Sequence, residues 1–256
     1  MYKRLNGVCV VTVLMLLVGI PDLRAQQTTR VVVHAKAKDA KFIGNSMSGA
    51  RVQIKNAQTG ELLAEGLTKG STGDTEKLVK VPKQRYSQVS TEDAAKYVVE
   101  LKLDQPTFVT ISASGPQQPE QAQAASSTQL WLIPGKDLLG DGVMLEIPGF
   151  AISILEPQGG QKTAGDSVTI TAKAQMMCGC PIAPDGLWDS NEMEFVAVLS
   201  KEGKELSRKK MDFSGKTSIF ETAFSPTEPG IYDVIVYGYD SRTGNTGVDK
   251  VTFTKG

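Results

Sequence analysis

The sequence predicts an all-β fold: two β-sandwich modules behind a cleaved leader. Three observations carry the prediction. Short runs rich in Val, Ile, Thr and Leu alternate with polar residues at period two, Gly-rich turns separate them, and the first 25 residues differ in composition from all that follow.

The leader has a basic start at Lys3 and Arg4, an apolar run from Val8 to Ile20 and a polar exit ending in Ala25-Gln26-Gln27. Those three parts make a secretory signal over residues 1–25, cut near Ala25, with an apolar run too short for a comfortable membrane span. A periplasmic or extracellular product is expected, one that does not span a membrane. Cys9 leaves with the leader, so Cys178 and Cys180 are the cysteines of the mature chain. Setting Lys3, Arg4, Asp22 and Arg24 aside from 28 basic and 28 acidic residues leaves 25 and 27, a net charge of −2. A nucleic-acid partner would call for a basic face and is not expected. The roughly 230 residues that remain suit two modules of about 100 each.

The first module is placed at residues 26–155. Val31-Val32-Val33-His34-Ala35-Lys36-Ala37-Lys38 and Ala50-Arg51-Val52-Gln53-Ile54 read as strands of a half-buried sheet. Leu62 to Leu67, Leu78 to Val81, Val98 to Leu103, Phe108 to Ser112, Gln129 to Ile133 and Val143 to Ile147 supply further strand-like segments. One short helix is expected at Thr91 to Tyr97, where Ser90 or Thr91 could cap and Ala94-Ala95 favour helix. Residues 115–128, rich in Gln, Pro, Ala and Ser, lack periodicity and bulky apolar groups and read as a flexible loop. Asp141-Gly142 reads as a hairpin turn rather than part of a calcium loop, because Leu138 and Leu139 interrupt the alternate acidic ligands such a loop needs.

The order Ser48-Gly49-Ala50-Arg51-Val52-Gln53-Ile54, then Thr59-Gly60-Glu61, then Gly66-Leu67-Thr68, resembles the opening of carboxypeptidase-regulatory-like, transthyretin-type domains. The second module, residues 156–256, is marked more firmly. Asp166 to Ala174 follows a strand ending in Leu155-Glu156-Pro157, and Pro229 to Asp240 leads through Thr243-Gly244-Asn245 into Val248 to Thr254. This pattern resembles bacterial immunoglobulin-like or fibronectin-type-III-like modules. The resemblance implies a sandwich with binding loops at its ends, and such folds serve many functions.

The segment that carries chemistry is Met176-Met177-Cys178-Gly179-Cys180-Pro181, four soft sulfur atoms within five residues. If the module is immunoglobulin-like, this segment opens the connection between its second and third strands, at the same end as Asn245. Four readings of it stand. The cysteines could close a disulfide across Gly179, a ring worth only about 1.6 kcal/mol in loop entropy and so a poor staple, or could exchange thiols reversibly. Two thiolates with Met176 or Met177 as a third donor would suit Cu(I), whereas zinc would want four nitrogen or sulfur ligands. Alternatively Met176 and one cysteine are plain core.

Trp188, Asp189 and Asn191 close the same connection, and with Asn245 they form a candidate binding loop for a protein or a cell-surface glycan, provided that Trp188 is exposed. The chain has one histidine, His34, and no motif places a pair of acids on a cleft, so neither a nucleophile–base couple nor a glycosidase pair has support. The expected function is a non-enzymatic binding or assembly module that presents the Cys-Gly-Cys loop. The alternative is a Cu(I)-binding or thiol-redox accessory protein using Cys178 and Cys180.

Overall fold

The computed structural model describes residues 26–256, and the leader expected over residues 1–25 lies outside the described residues. Seven strands come first: β1 (Gln27–Ala37), β2 (Arg51–Asn56), β3 (Leu62–Leu67), β4 (Tyr97–Leu103), β5 (Thr107–Gly115), β6 (Ala124–Leu132) and β7 (Leu138–Ile147). They form a three-stranded sheet of order β4-β1-β7 and a four-stranded sheet of order β3-β2-β5-β6. Strand β1 runs antiparallel to β4 and parallel to β7. Strand β5 shows why these residues fold as they do. Val109, Ile111 and Ala113 are buried while Phe108, Thr110 and Ser112 between them face outward, the alternation of a sheet with one wet face.

Nine more strands follow: β8 (Phe150–Glu156), β9 (Lys162–Thr163), β10 (Val168–Met176), β11 (Glu194–Lys201), β12 (Lys204–Lys210), β13 (Asp212–Phe213), β14 (Ile219–Phe224), β15 (Gly230–Asp240) and β16 (Asn245–Lys255). Their sheets have the orders β13-β14-β10-β8 and β12-β11-β15-β16-β9. That arrangement is the two-sheet plan of an immunoglobulin-like sandwich, with β8, β10, β14 and β13 facing β11, β15 and β16. A corner typical of that plan is present as well: Tyr232, buried near the start of β15, donates its hydroxyl to the carbonyl of Glu228 at 2.7 Å. The sequence-level likeness of the second half is therefore met by topology.

Several expectations need correction. Residues 91–94 form a single turn, not a helix, with Ala94 N–H on the Thr91 carbonyl, and Tyr97 already opens β4. Ala95 is buried against the backbone of Gly44 and Gly70, and Ala94 is buried in a cluster with Phe42. Leu78 to Val81 is no strand either; Glu76–Lys80 is a π-helical turn, held by an ion pair from Lys80 to Glu76. The loop expected over residues 115–128 is a hairpin end: Ala124 to Thr128 pair with β5, and Gln121 reaches across to the Ile152 carbonyl at 3.1 Å. Its small polar residues suit an outward-facing edge, so low hydrophobicity was no sign of mobility. Asp141-Gly142 is not a hairpin turn but an irregularity within β7, where the register to β1 jumps between Val31↔Leu138 and Val33↔Val143.

Asp141 is occupied there. Burial pushes its carboxyl up, but the N–H groups of Ser90 and Val89, the Ser90 hydroxyl and Lys83 outweigh that and hold it below the usual range. His34 is fully buried, with Nδ1 2.7 Å from the Ala95 carbonyl and Nε2 3.2 Å from that of Gly140, so its ring sits between the segment before β4 and strand β7.

Strand β7 ends at Ile147 and β8 already pairs with β10 in the second pair of sheets. We place the module boundary at Pro148-Gly149, upstream of the position near Glu156 that composition marked. One continuous apolar cluster runs from Val31 and Ile54 in the first sandwich through Met47, Phe150 and Cys178 to Val234 and Phe253 in the second.

Candidate functional site

The Cys-Gly-Cys segment leaves β10 as a tight turn. Gly179 N–H donates to the Met176 carbonyl at 2.7 Å, and Met176 N–H donates to the Cys180 carbonyl at 3.0 Å. Gly179 has φ +82°, and a Cβ there would meet the Met47 thioether at 3.0 Å, so both backbone and packing require glycine. Met47 belongs to the first sandwich. The turn is thus not presented to solvent but pressed into the joint between the two sandwiches: Cys178 is 0% exposed, Cys180 6%, and Met176 and Met177 are buried with them. This corrects the expectation of an open binding loop.

Around the joint, side chains of one sandwich hold the main chain of the other. Ser46 Oγ donates to the Cys178 carbonyl at 3.1 Å, and Gln175 Nε2 donates to Met47 Sδ at 3.1 Å. Trp188, 6% exposed, donates its indole N–H to the Asp39 carbonyl at 2.8 Å. Asn245, 0% exposed, accepts from Gly149 N–H at 2.8 Å and donates through Nδ2 to the Lys38 carbonyl at 3.2 Å. The turn Lys38-Asp39 at the end of β1 is therefore gripped from both sides. Gly149, at φ +126°, allows this approach, since a Cβ would stand 3.0 Å from the Thr246 carbonyl.

The turn that carries Asn245 is itself set by Asp240, whose carboxylate accepts from Arg242 N–H at 2.9 Å and from Thr243 Oγ1 at 3.1 Å. Burial raises the Asp240 carboxyl, yet Arg242 and Thr243 hold it below the usual range. Asp39 is pushed up, by burial first and then by Asp240.

Of the residues singled out in the sequence, the structure brings six to this joint: Met176, Met177, Cys178, Cys180, Trp188 and Asn245. Asp189 is half-buried and caps the turn Ser190–Glu192, accepting from the N–H groups of Asp185 and Asn191, while Asn191 is exposed at a corner away from the Lys38-Asp39 turn. Missed from sequence were Lys38, Asp39, Lys41, Ser46 and Met47. Residues 39–49 carry no periodic pattern, and their partners lie more than a hundred positions away in the chain.

Chemically the site is a dithiol. The two Sγ atoms lie 2.7 Å apart as free cysteines, so the disulfide ring is not formed. Cys178 is brought down to about 7, first because the Cys180 thiol donates to its sulfur; burial opposes this, and Lys41 N–H and ammonium assist it. Cys180 is pushed far up by the same contact and by burial. Among the described residues no third His, Cys, Asp or Glu joins the pair. The Met177 thioether packs toward Gly149, and that of Met47 is engaged by Gln175.

No protein-family profile matches the sequence, and no curated protein does. Three solved structures align with the chain at low identity. Fibronectin(III)-like modules of Clostridium thermocellum CbhA are 12% identical, over 89% of this chain and 93% of that one, at TM-score 0.28. The chicken interferon gamma receptor alpha chain is also 12% identical, over 89% and 98%, at TM-score 0.28. An engineered protein is 14% identical over 49% of this chain, which spans 24% of that protein, at TM-score 0.33.

Proposed function

We propose that the chain is a non-enzymatic binding or assembly protein of the periplasm or cell exterior, in which the Cys-Gly-Cys turn locks two sandwiches into one body. The transthyretin-type likeness of the first sandwich and the boundary at Pro148-Gly149 belong to the same proposal. The observation that carries it is the set of four bonds across the joint, from Ser46, Gln175, Trp188 and Asn245, around a shared apolar core. Domain interfaces within a chain are by default mobile, and a large apolar one with satisfied polar groups is the exception that fixes orientation.

Small-angle scattering with thermal unfolding tests it. The native chain should give one rigid envelope and one transition, and Trp188→Ala should broaden the envelope and split the transition. Two independent transitions in the native chain would refute the lock.

The touching sulfurs favour one second reading, a reversible dithiol. Because both cysteines are buried, the joint would first have to open; the Cys178 thiolate would then attack a disulfide oxidant and displace one thiol, and the Cys180 sulfur would close on Cys178 and displace the other, so the oxidant leaves as two thiols. Thiol count and metal content on protein purified without chelators discriminate. Two thiols blocked after a disulfide oxidant support the dithiol reading, and stoichiometric copper lost in Cys178→Ser/Cys180→Ser would support the metal one.

A further inference from the structure

After Tyr86, the most exposed aromatic side chain among the described residues is on the first sandwich, on the outer face of β5 and β6. Register places Phe108 opposite Trp131, Thr110 opposite Gln129 and Ser112 opposite Ser127. Trp131 is 55% exposed, and its ring lies 5.1 Å from that of Phe108 at an angle of 39°. Gln129 Nε2 donates to Thr110 Oγ1 at 3.0 Å, which fixes the amide and leaves its oxygen free to accept. No residue of this strip is charged, and β6 holds neither a charge nor a proline from Ala124 to Leu132. Across the sheet, β2 sets the exposed Lys55 opposite Thr110, while Arg51, opposite Ser114, is paired with Glu65 at 3.5 Å. Edge strand β12 is by contrast studded with Lys204, Arg208, Lys209 and Lys210, the usual guard of an edge strand.

We infer that this face binds an extended, uncharged polysaccharide. An indole open on one side, with a phenyl beside it, offers a flat apolar platform to the C–H face of a sugar ring. Hydroxyls and an oriented amide both donate and accept, as sugar hydroxyls do, and neither β5 nor β6 supplies a charge of its own to hold an ionic group. Same-face residues on a strand repeat at about 6.8 Å, so the row from Trp131 to Ser127 runs roughly 14 Å along a flat sheet. That geometry suits a polymer lying across it rather than a small molecule, which needs a concavity. The inference rests on the reading of the chain as a binding protein, and gives Trp131 the part that the sequence assigned to Trp188.

Affinity electrophoresis of the full chain in gels containing mixed-linkage β-glucan, glucomannan or xylan, with alginate as the anionic comparison, tests it alongside sedimentation velocity. Retardation by at least one neutral polymer and none by alginate is expected, with a blue shift of tryptophan emission on binding. Trp131→Ala should weaken association at least tenfold at unchanged melting temperature, and Trp131→Tyr should retain part of it. Retention by none of the three neutral polymers overturns the inference, as does retention undiminished in Trp131→Ala. A concentration-dependent dimer abolished by Trp131→Ala would assign the face to a second copy and overturn it too. The lock is read separately, from the scattering of Trp188→Ala, so either proposal can fail alone.

Discussion

The chain has two tryptophans, and they sit in opposite surroundings. Trp188 is sealed in the joint with its N–H spent on the Asp39 carbonyl, while Trp131 stands open on the outer face of its sheet beside Phe108. A tryptophan near cysteines on a long connection looks like a ligand platform until a second sandwich covers it. A tryptophan in a strand looks like core until its register turns it outward. The lesson is that residue type marks where large contact energies lie, and only the tertiary partner decides whether they are spent on the fold or kept for a ligand.

The contrast can be broken most strongly at Trp188. Trp188→Ala should cost about 3–5 kcal/mol in urea unfolding, the range for removing a buried aromatic, and should leave a carbonyl at Asp39 without its donor. A loss below about 1 kcal/mol would mean the joint is not built as described. Asn245→Ala comes next. It strands the N–H of Gly149 and the carbonyl of Lys38, each buried polar group costing about 1–3 kcal/mol when left unsatisfied, and the urea midpoint should fall accordingly.

The dithiol gives a smaller, pH-dependent effect whose sign is fixed by the two shifts. Cys178 titrates near 7 in the folded chain against 9.0 for an ordinary thiol, and Cys180 is displaced upward. Between pH 7 and 9 the folded chain has released a proton that the unfolded chain keeps, so stability rises with pH. Above pH 9 the unfolded chain releases both protons while the folded one keeps that of Cys180, so stability falls again. Melting temperature of the reduced protein should therefore peak near pH 8 to 9, and the peak should vanish in Cys178→Ser. Smallest of all is Trp131→Ala, expected within about 0.5 kcal/mol of the native chain because its side chain is largely solvated.

Much of the fold was legible because strands announce themselves locally. The alternation of β5 and the run of β15 into β16 could be read without any tertiary knowledge, since period two is a property of a few neighbouring residues. The helix expected at Thr91 to Tyr97 fails for a reason periodicity cannot carry: Ala95 is small to admit the backbone of Gly44 and Gly70, and Ala94 is buried with Phe42. The candidate site was half legible. Cys178, Cys180 and Trp188 were marked by their chemistry, but their burial comes from Asp39, Ser46 and Met47, whose sequence separations of 128 to 149 residues leave no local trace. Trp131 was read as strand and nothing more, although the uncharged stretch from Ala124 to Leu132 was visible as composition.

Strand β1 has one further consequence, for the order in which the molecule assembles. Its two sheet neighbours, β4 and β7, come from residues 97–103 and 138–147, and β7 joins it in parallel, a pairing that closes a long stretch of chain before any contact rewards it. Strand β1 must therefore wait unpaired until β4 has emerged, and half-paired until β7 has. The Lys38-Asp39 turn at its end is also what Trp188 and Asn245 clasp. Until β1 has docked, the second sandwich has nothing to grip, so the slow step of the first half also times the final docking of the second.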